Sequence, residues 1–175
     1  MNAVSSYILY MKSLATKHPA ILHQDTEGAI AFAIDEFEDL LQGIFRDQIK
    51  PTGFSLRLIK PMLRPTTDEA AGLLAFIDSG FSVLKRLESL TEIPTAHTET
   101  AEITRQIIAK LISDSRAYHP LFAYSLNNLS YGKFIVEAVT FKGDGYFAGQ
   151  LVTFQFQTEY IEDIDELVTA TNWLP

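Results

Sequence analysis

The chain contains no cysteine, which excludes a disulfide framework, a thiolate metal site and a cysteine nucleophile. Cations are scarce as well: 14 Lys and Arg stand against 22 Asp and Glu, for a formal net charge of -8. That balance opposes a phosphate backbone, because affinity for nucleic acid rests largely on cations displacing counterions. Long apolar runs are also missing, and none approaches the roughly 20 residues needed to cross a bilayer. Met1 to Leu14 has no early Lys or Arg, is interrupted by Ser5, Ser6 and Lys12, and precedes no small-residue cleavage site, so it reads as an ordinary helix rather than a leader. These absences lead to the expectation of a cytoplasmic protein with neither a nucleic-acid nor a membrane partner.

What is present is an ordinary globular balance, 47% hydrophobic and 21% charged residues. The expectation is one domain spanning 1–175, of a size that buries roughly 70% of the surface its unfolded chain exposes. Ile8, Met11, Leu14 and Ala15 recur at helical spacing, and Pro19 stops that helix near Lys17. Gly28 to Gln48 supports two readings: one long helix, or a short strand at Ala29–Ala33 feeding a helix from Ile34 or Asp35, which is preferred. Phe54 to Ile59 alternates as a half-buried strand with Ser55 and Arg57 on its polar face. Thr66 or Thr67 followed by Asp68 and Glu69 signals a helix running toward Ile77. Gly80 interrupts it, and Phe81–Leu87 fits either a resumed helix or a strand. Thr98–Ser115 is the cleanest helix, with Ile103, Ile107 and Leu111 on one stripe. Leu121–Leu126 follows as a strand that turns at Asn127-Asn128.

The tail is the most distinctive segment. Phe134–Phe141 and Tyr146–Tyr160 are apolar and aromatic-rich and flank Lys142-Gly143-Asp144-Gly145, the pattern of a β-hairpin. In its second arm Val152, Phe154 and Phe156 share a core-seeking face opposite Thr153, Gln155 and Gln157. The fold class expected from this order is α+β: an antiparallel sheet ending in a long C-terminal β-hairpin, packed by three to four helices.

No motif identifies a reaction. His18, His23, His97 and His119 match no metal-ligand spacing, and Asp35 to Asp39 read as a solvated acidic face. Gly143, Gly145 and Gly149 lack the strand-to-helix setting and the Lys-Ser/Thr of a phosphate loop. Asp144 lacks the ligand spacing of a calcium loop, and no serine sits in a nucleophile elbow. No catalytic residue, cofactor or metal is therefore assigned.

Charge is segregated along the chain. Ile49 to Thr67 carries Lys50, Arg57, Lys60 and Arg64 without an acid, whereas everything after Gly143 carries six acids and no cation. One reading is scatter over a solvated surface. The other is a contact between copies, in which Arg57, Lys60 and Arg64 of one chain meet Glu159, Glu162 and Asp163 of the next, a heterologous arrangement that can close into a ring.

The element order, the acidic single-domain size and the Gly-rich run from Gly145 to Gln157 (GYFAGQLVTFQFQ) resemble the small tail-terminator and tail-completion proteins of bacteriophages and related contractile particles. That resemblance implies a non-enzymatic assembly role and carries over no individual residue; it also requires a strand within Asp68–Leu87. The alternative function is a small-ligand binding protein or enzyme, with a pocket between sheet and helices and His119, Tyr124 or Tyr131 at its mouth.

Overall fold

The computed structural model describes residues 3–36, 53–65, 74–117, 119, 121, 129–142 and 145–159. They form a five-stranded sheet in the order β1-β2-β3-β5-β4, with helices α1 (Ala3–Lys17) and α2 (Ile93–Arg116) against it. The strands are β1 (Phe32–Asp35), β2 (Phe54–Pro65), β3 (Leu74–Leu87), β4 (Ile135–Lys142) and β5 (Tyr146–Glu159). The α+β class holds, with two differences from expectation. Two α-helices, rather than three to four, lie among the described residues. The sheet is mixed rather than antiparallel, because β1 pairs in parallel with β2. A parallel pair needs a crossover rather than a tight turn, and the chain between them runs through residues outside the described set.

In α1 the fully buried positions are Tyr7, Met11 and Ala15, one per turn, with Ile8 and Leu14 at the margins of the stripe. The helix ends at Lys17, two residues short of Pro19. Leu22 has φ of 50°, and the loop beyond it is held by buried His23. The His23 Nδ1 accepts a hydrogen bond from the Ala31 amide at 3.1 Å, and Nε2 lies 3.1 Å from Asp25 Oδ1. This ring fastens the start of β1, which begins three residues later than the expected Ala29 and still contains Ile34 and Asp35. The helix expected from Ile34 therefore does not begin there, and its remainder lies outside the described residues.

The first half of β2, Ser55 to Ile59, is buried on both faces, not half-buried. Leu56 and Leu58 enter the core beneath the helices, while Ser55, Arg57 and Ile59 are buried on the opposite face. Pro61 has no amide hydrogen to give a ladder. Around it the register shifts between Ile59, opposite Gly80, and Met62, opposite Asp78. This bulge opposes Lys60 and Pro61 to Ser79 alone, and it returns Met62 to the face occupied by Ile59.

β3 overturns the last part of the helix expected from Asp68 to Ile77: Leu74–Ile77 is strand, Phe81–Leu87 continues it, and the start of the expected helix lies outside the described residues. Gly80 does not interrupt the element but sits in its middle. A Cβ there would lie 2.5 Å from the Val152 carbonyl oxygen and 2.6 Å from Ile59 Cδ1. β3 pairs along its full length with β5, from Leu74–Glu159 to Leu87–Tyr146. β4 pairs antiparallel with β5 from Ile135–Thr153 to Lys142–Tyr146, within a residue of the two arms expected for the hairpin. α2 starts at Ile93, earlier than Thr98, because Pro94 occupies its first turn, where a missing amide hydrogen costs nothing. Of the strand expected at Leu121–Leu126 only Leu121 is described, and it is buried in the core.

The main core lies between the helices and one sheet face, joining Tyr7 and Met11 to Phe81, Val152, Phe154 and Phe156. Tyr7 packs against Phe156 at 5.1 Å between ring centroids, and Ser79 donates a 3.0 Å hydrogen bond to its hydroxyl. Burial raises the Tyr7 pKa above its ordinary range and keeps the phenol protonated. A second cluster, including Leu84, Phe141, Phe147 and Leu151, occupies the opposite face.

Candidate functional site

Among the described residues, the bulge in β2 shapes a site-like feature. On the sheet face away from α1 and α2, a groove of 810 Å³ is lined by Ile59, Met62, Asp78, Ile135, Thr153 and Gln155, with Glu36, Lys60 and Lys133 at its edges. Its lining comes from the middle of β3 and β5, the start of β4 and the bulged end of β2. Met62 is 64% exposed and Ile135 63% exposed, so two large apolar side chains of the sheet lie open to solvent. The groove thus has apolar walls and a charged rim.

Lys60, Glu36 and Asp78 are paired. Lys60 Nζ donates to Glu36 Oε1 at 2.7 Å. Arg64 binds Asp78 through both Nε and Nη2, the latter at 2.9 Å, and Gln155 Nε2 donates to the same carboxylate at 2.6 Å. Partial burial of Asp78 pushes its pKa up, but the Arg64 and Gln155 hydrogen bonds outweigh that and hold it below the ordinary carboxylate value. The same ion pair raises Arg64. An ionised carboxylate already engaged by three donors is suited to organising a surface and not to moving protons.

Arg57 does not belong to this rim. It is 1% exposed and pairs with buried Asp35, Nε donating to Oδ2 at 2.6 Å and Nη2 to Oδ1. The alternation that put Arg57 on a polar face identified the right face; that face is buried, and a neighbouring strand supplies the carboxylate. Arg57 is therefore removed from the surface set, while Lys60 and Arg64 remain exposed at the groove. Glu159 ends β5 opposite Leu74, and Glu162 and Asp163 lie outside the described residues.

The groove opens on the sheet face away from the helices, whereas the alternative site was expected between sheet and helices. His119 sits on the helix side. Its Nδ1 accepts from the Leu121 amide at 3.3 Å, and its ring packs edge-on to Tyr10 at 5.2 Å. Tyr124 lies outside the described residues, and the backbone of Tyr131 opens a short 3-10 turn just before β4.

The other histidines also tie elements together. His18 Nδ1 accepts from the Ala20 amide, and its Nε2 contacts Gln106 on α2 at 3.0 Å. His97 on α2 bridges β5 and β4, with Nδ1 3.1 Å from the Gly149 carbonyl and Nε2 3.3 Å from the Thr140 hydroxyl. Among the described residues no three His, Asp or Glu side chains converge as a metal site requires. No helix among them is long and apolar enough to cross a membrane.

The groove was missed by sequence reasoning because its lining is contributed by separate strands. One local signal was available: Lys60-Pro61-Met62 places a proline inside an alternating run, which marks a bulge or an edge. The fold and groove define an α+β domain with an apolar, charge-rimmed patch on its sheet. No protein-family model matches the chain, and neither a curated protein nor a solved structure matches it.

Proposed function

We propose that this chain is a non-enzymatic structural or assembly protein, cytoplasmic and of the phage-tail type, that associates with copies of itself or docks on a protein partner. The observation that carries the reading is the exposure of Met62 and Ile135 within one charge-rimmed groove. An apolar centre inside a polar rim is the anatomy of a protein interface. The acidic residues Glu159, Glu162 and Asp163 of a neighbouring copy supply the complementary charge to Lys60 and Arg64. Forming that contact exchanges the exposed Lys60–Glu36 and Arg64–Asp78 pairs for intermolecular ones, and exposed pairs of this kind are each worth only about 0–1 kcal/mol.

Native mass spectrometry and light scattering at low and high salt test the proposal. A salt-sensitive oligomer is expected, weakened by Glu162→Lys with Asp163→Lys and restored by adding Lys60→Glu with Arg64→Glu. A strictly monomeric protein at high concentration and low salt would overturn the self-association part. A second reading, binding of a small ligand, draws on the groove's volume, which falls in the roughly 300–1,000 Å³ range of ligand sites. Thermal-shift screening with amphipathic acids tests it, and stabilisation lost in Met62→Glu would favour it over assembly.

A further inference from the structure

The strand β4 lies at one end of the sheet order, yet its sequence is patterned for an interior position. Ile135, Val136, Ala138, Val139 and Phe141 put apolar side chains on both faces of the strand, the signature of a strand covered on both sides. Here both faces are open over most of its length: Ile135 is 63% and Val136 46% exposed, and among residues 135–140 only Val139 is partly covered. The opposite edge, β1, is only four residues long, and shortness is one of the ordinary ways to blunt an edge. β4 makes little use of the other devices. It is eight residues long, contains no proline or glycine, and carries its charges only at Glu137 and Lys142. Its outer row of amides and carbonyls has no strand partner among the described residues.

We infer that β4 is an association edge whose occupant is β4 of a second copy, paired antiparallel about a two-fold axis to make one continuous sheet across two chains. The strand is self-complementary for this. An axis normal to the sheet keeps each face continuous, so residues of equal parity meet across it. Centring on Glu137 would oppose two carboxylates, which is destabilising. Centring on Ala138 sets Ala138 against its own copy, Glu137 against Val139, Val136 against Thr140 and Ile135 against Phe141, all within β4 and with no like charges opposed. Ile135 and Val136 then gain neighbours on their two faces. The contact is isologous and closes at two copies.

This inference deepens the assembly reading and rests on it, but it uses backbone pairing and apolar contact, which salt does not screen, whereas the Lys60 and Arg64 contact is electrostatic. The test is sedimentation equilibrium over a concentration series in high salt, comparing the natural chain with Val136→Lys/Ala138→Lys, both on the face of β4 away from the groove. The expected result is a dimer that persists in high salt and is weakened by on the order of tenfold or more per lysine, each lysine acting as an edge gatekeeper. Both positions are solvent-exposed in the single chain, so its circular dichroism and dilute melting temperature should be unchanged. Val136→Thr/Ala138→Thr, which retains strand propensity, serves where the lysines impair folding and should weaken the dimer less. A natural chain that stays monomeric throughout the series overturns the β4 contact, as does a dimer indifferent to both pairs of substitutions. Association that vanishes in high salt and ignores the β4 substitutions also overturns it, while leaving the charge contact standing.

Discussion

Asp35 and Arg57 show how far a single side chain's role depends on what lies beside it. The guanidinium and carboxylate are both buried and joined by two hydrogen bonds, so neither can be removed alone without leaving a charge in a dry setting. Asp35→Ala should destabilise the fold by about 3–5 kcal/mol, and Asp35→Leu with Arg57→Met should recover much of that loss, as read by urea unfolding. Thr104 makes the opposite case. Its hydroxyl is buried on α2 without a hydrogen-bond partner among the described residues, and an unsatisfied hydroxyl is a standing cost. Thr104→Val keeps the shape and removes the orphan, so stability should rise by about 1 kcal/mol in the same measurement. Each prediction depends on a partner, present or missing, that residue type and spacing did not disclose.

At the scale of elements, the close approach of β3 and β5 is set by glycine. A Cβ on Gly149 would stand 1.9 Å from the Val83 carbonyl oxygen and 3.0 Å from Leu84 Cα, backbone atoms that can move only if the strands move. Gly149→Ala should therefore cost about 3 kcal/mol or more by forcing strand separation, seen as a lower unfolding midpoint and faster amide exchange in β3 and β5. Which elements were legible follows from their surroundings. α1, α2 and the second half of β5 carry one clear period each, and β4 is marked by the turn sequence Lys142-Gly143-Asp144-Gly145 at its end, so the residues announced them. β3 did not: Leu74 to Ile77 is apolar without interruption because a central strand is buried on both faces, and such a run has no period to distinguish it from a buried helix. Gly80 then looked like a breaker, although its absent side chain is what lets Ile59 and Val152 close over it. The groove was hidden for a related reason: the Pro61 bulge exposes Met62, and the partners of that residue come from strands distant in sequence.

For the molecule as a whole, pH should reveal which contacts hold the elements together. His18 joins the end of α1 to Gln106 on α2, and burial lowers its pKa below 6.5, with the Gln106 hydrogen bond only partly opposing. The unfolded chain therefore takes up a proton as pH falls through 6.5 while the folded chain resists. Stability should decline gently from there and level off below the lowered value. Asp78, on the groove, and Asp114, which accepts hydrogen bonds from Tyr10 and Lys110, behave differently. Burial raises both, but their hydrogen-bonded partners outweigh it and leave both below 3.8. Their contribution is complete above 3.8 and is lost as pH falls from there through the folded-state values. The urea midpoint plotted against pH should therefore be flat from neutrality until tyrosines of the unfolded chain begin to ionise at about pH 10 while buried Tyr7 resists, show a shallow shoulder below 6.5 and fall steeply below 3.8. His18→Asn, whose side-chain carbonyl can still accept from the Ala20 amide, should erase the shoulder alone. Asp78→Asn should soften only the acid limb, and an acid limb unchanged by that substitution would mean that the Arg64–Asp78–Gln155 cluster shapes the groove without stabilising the sheet.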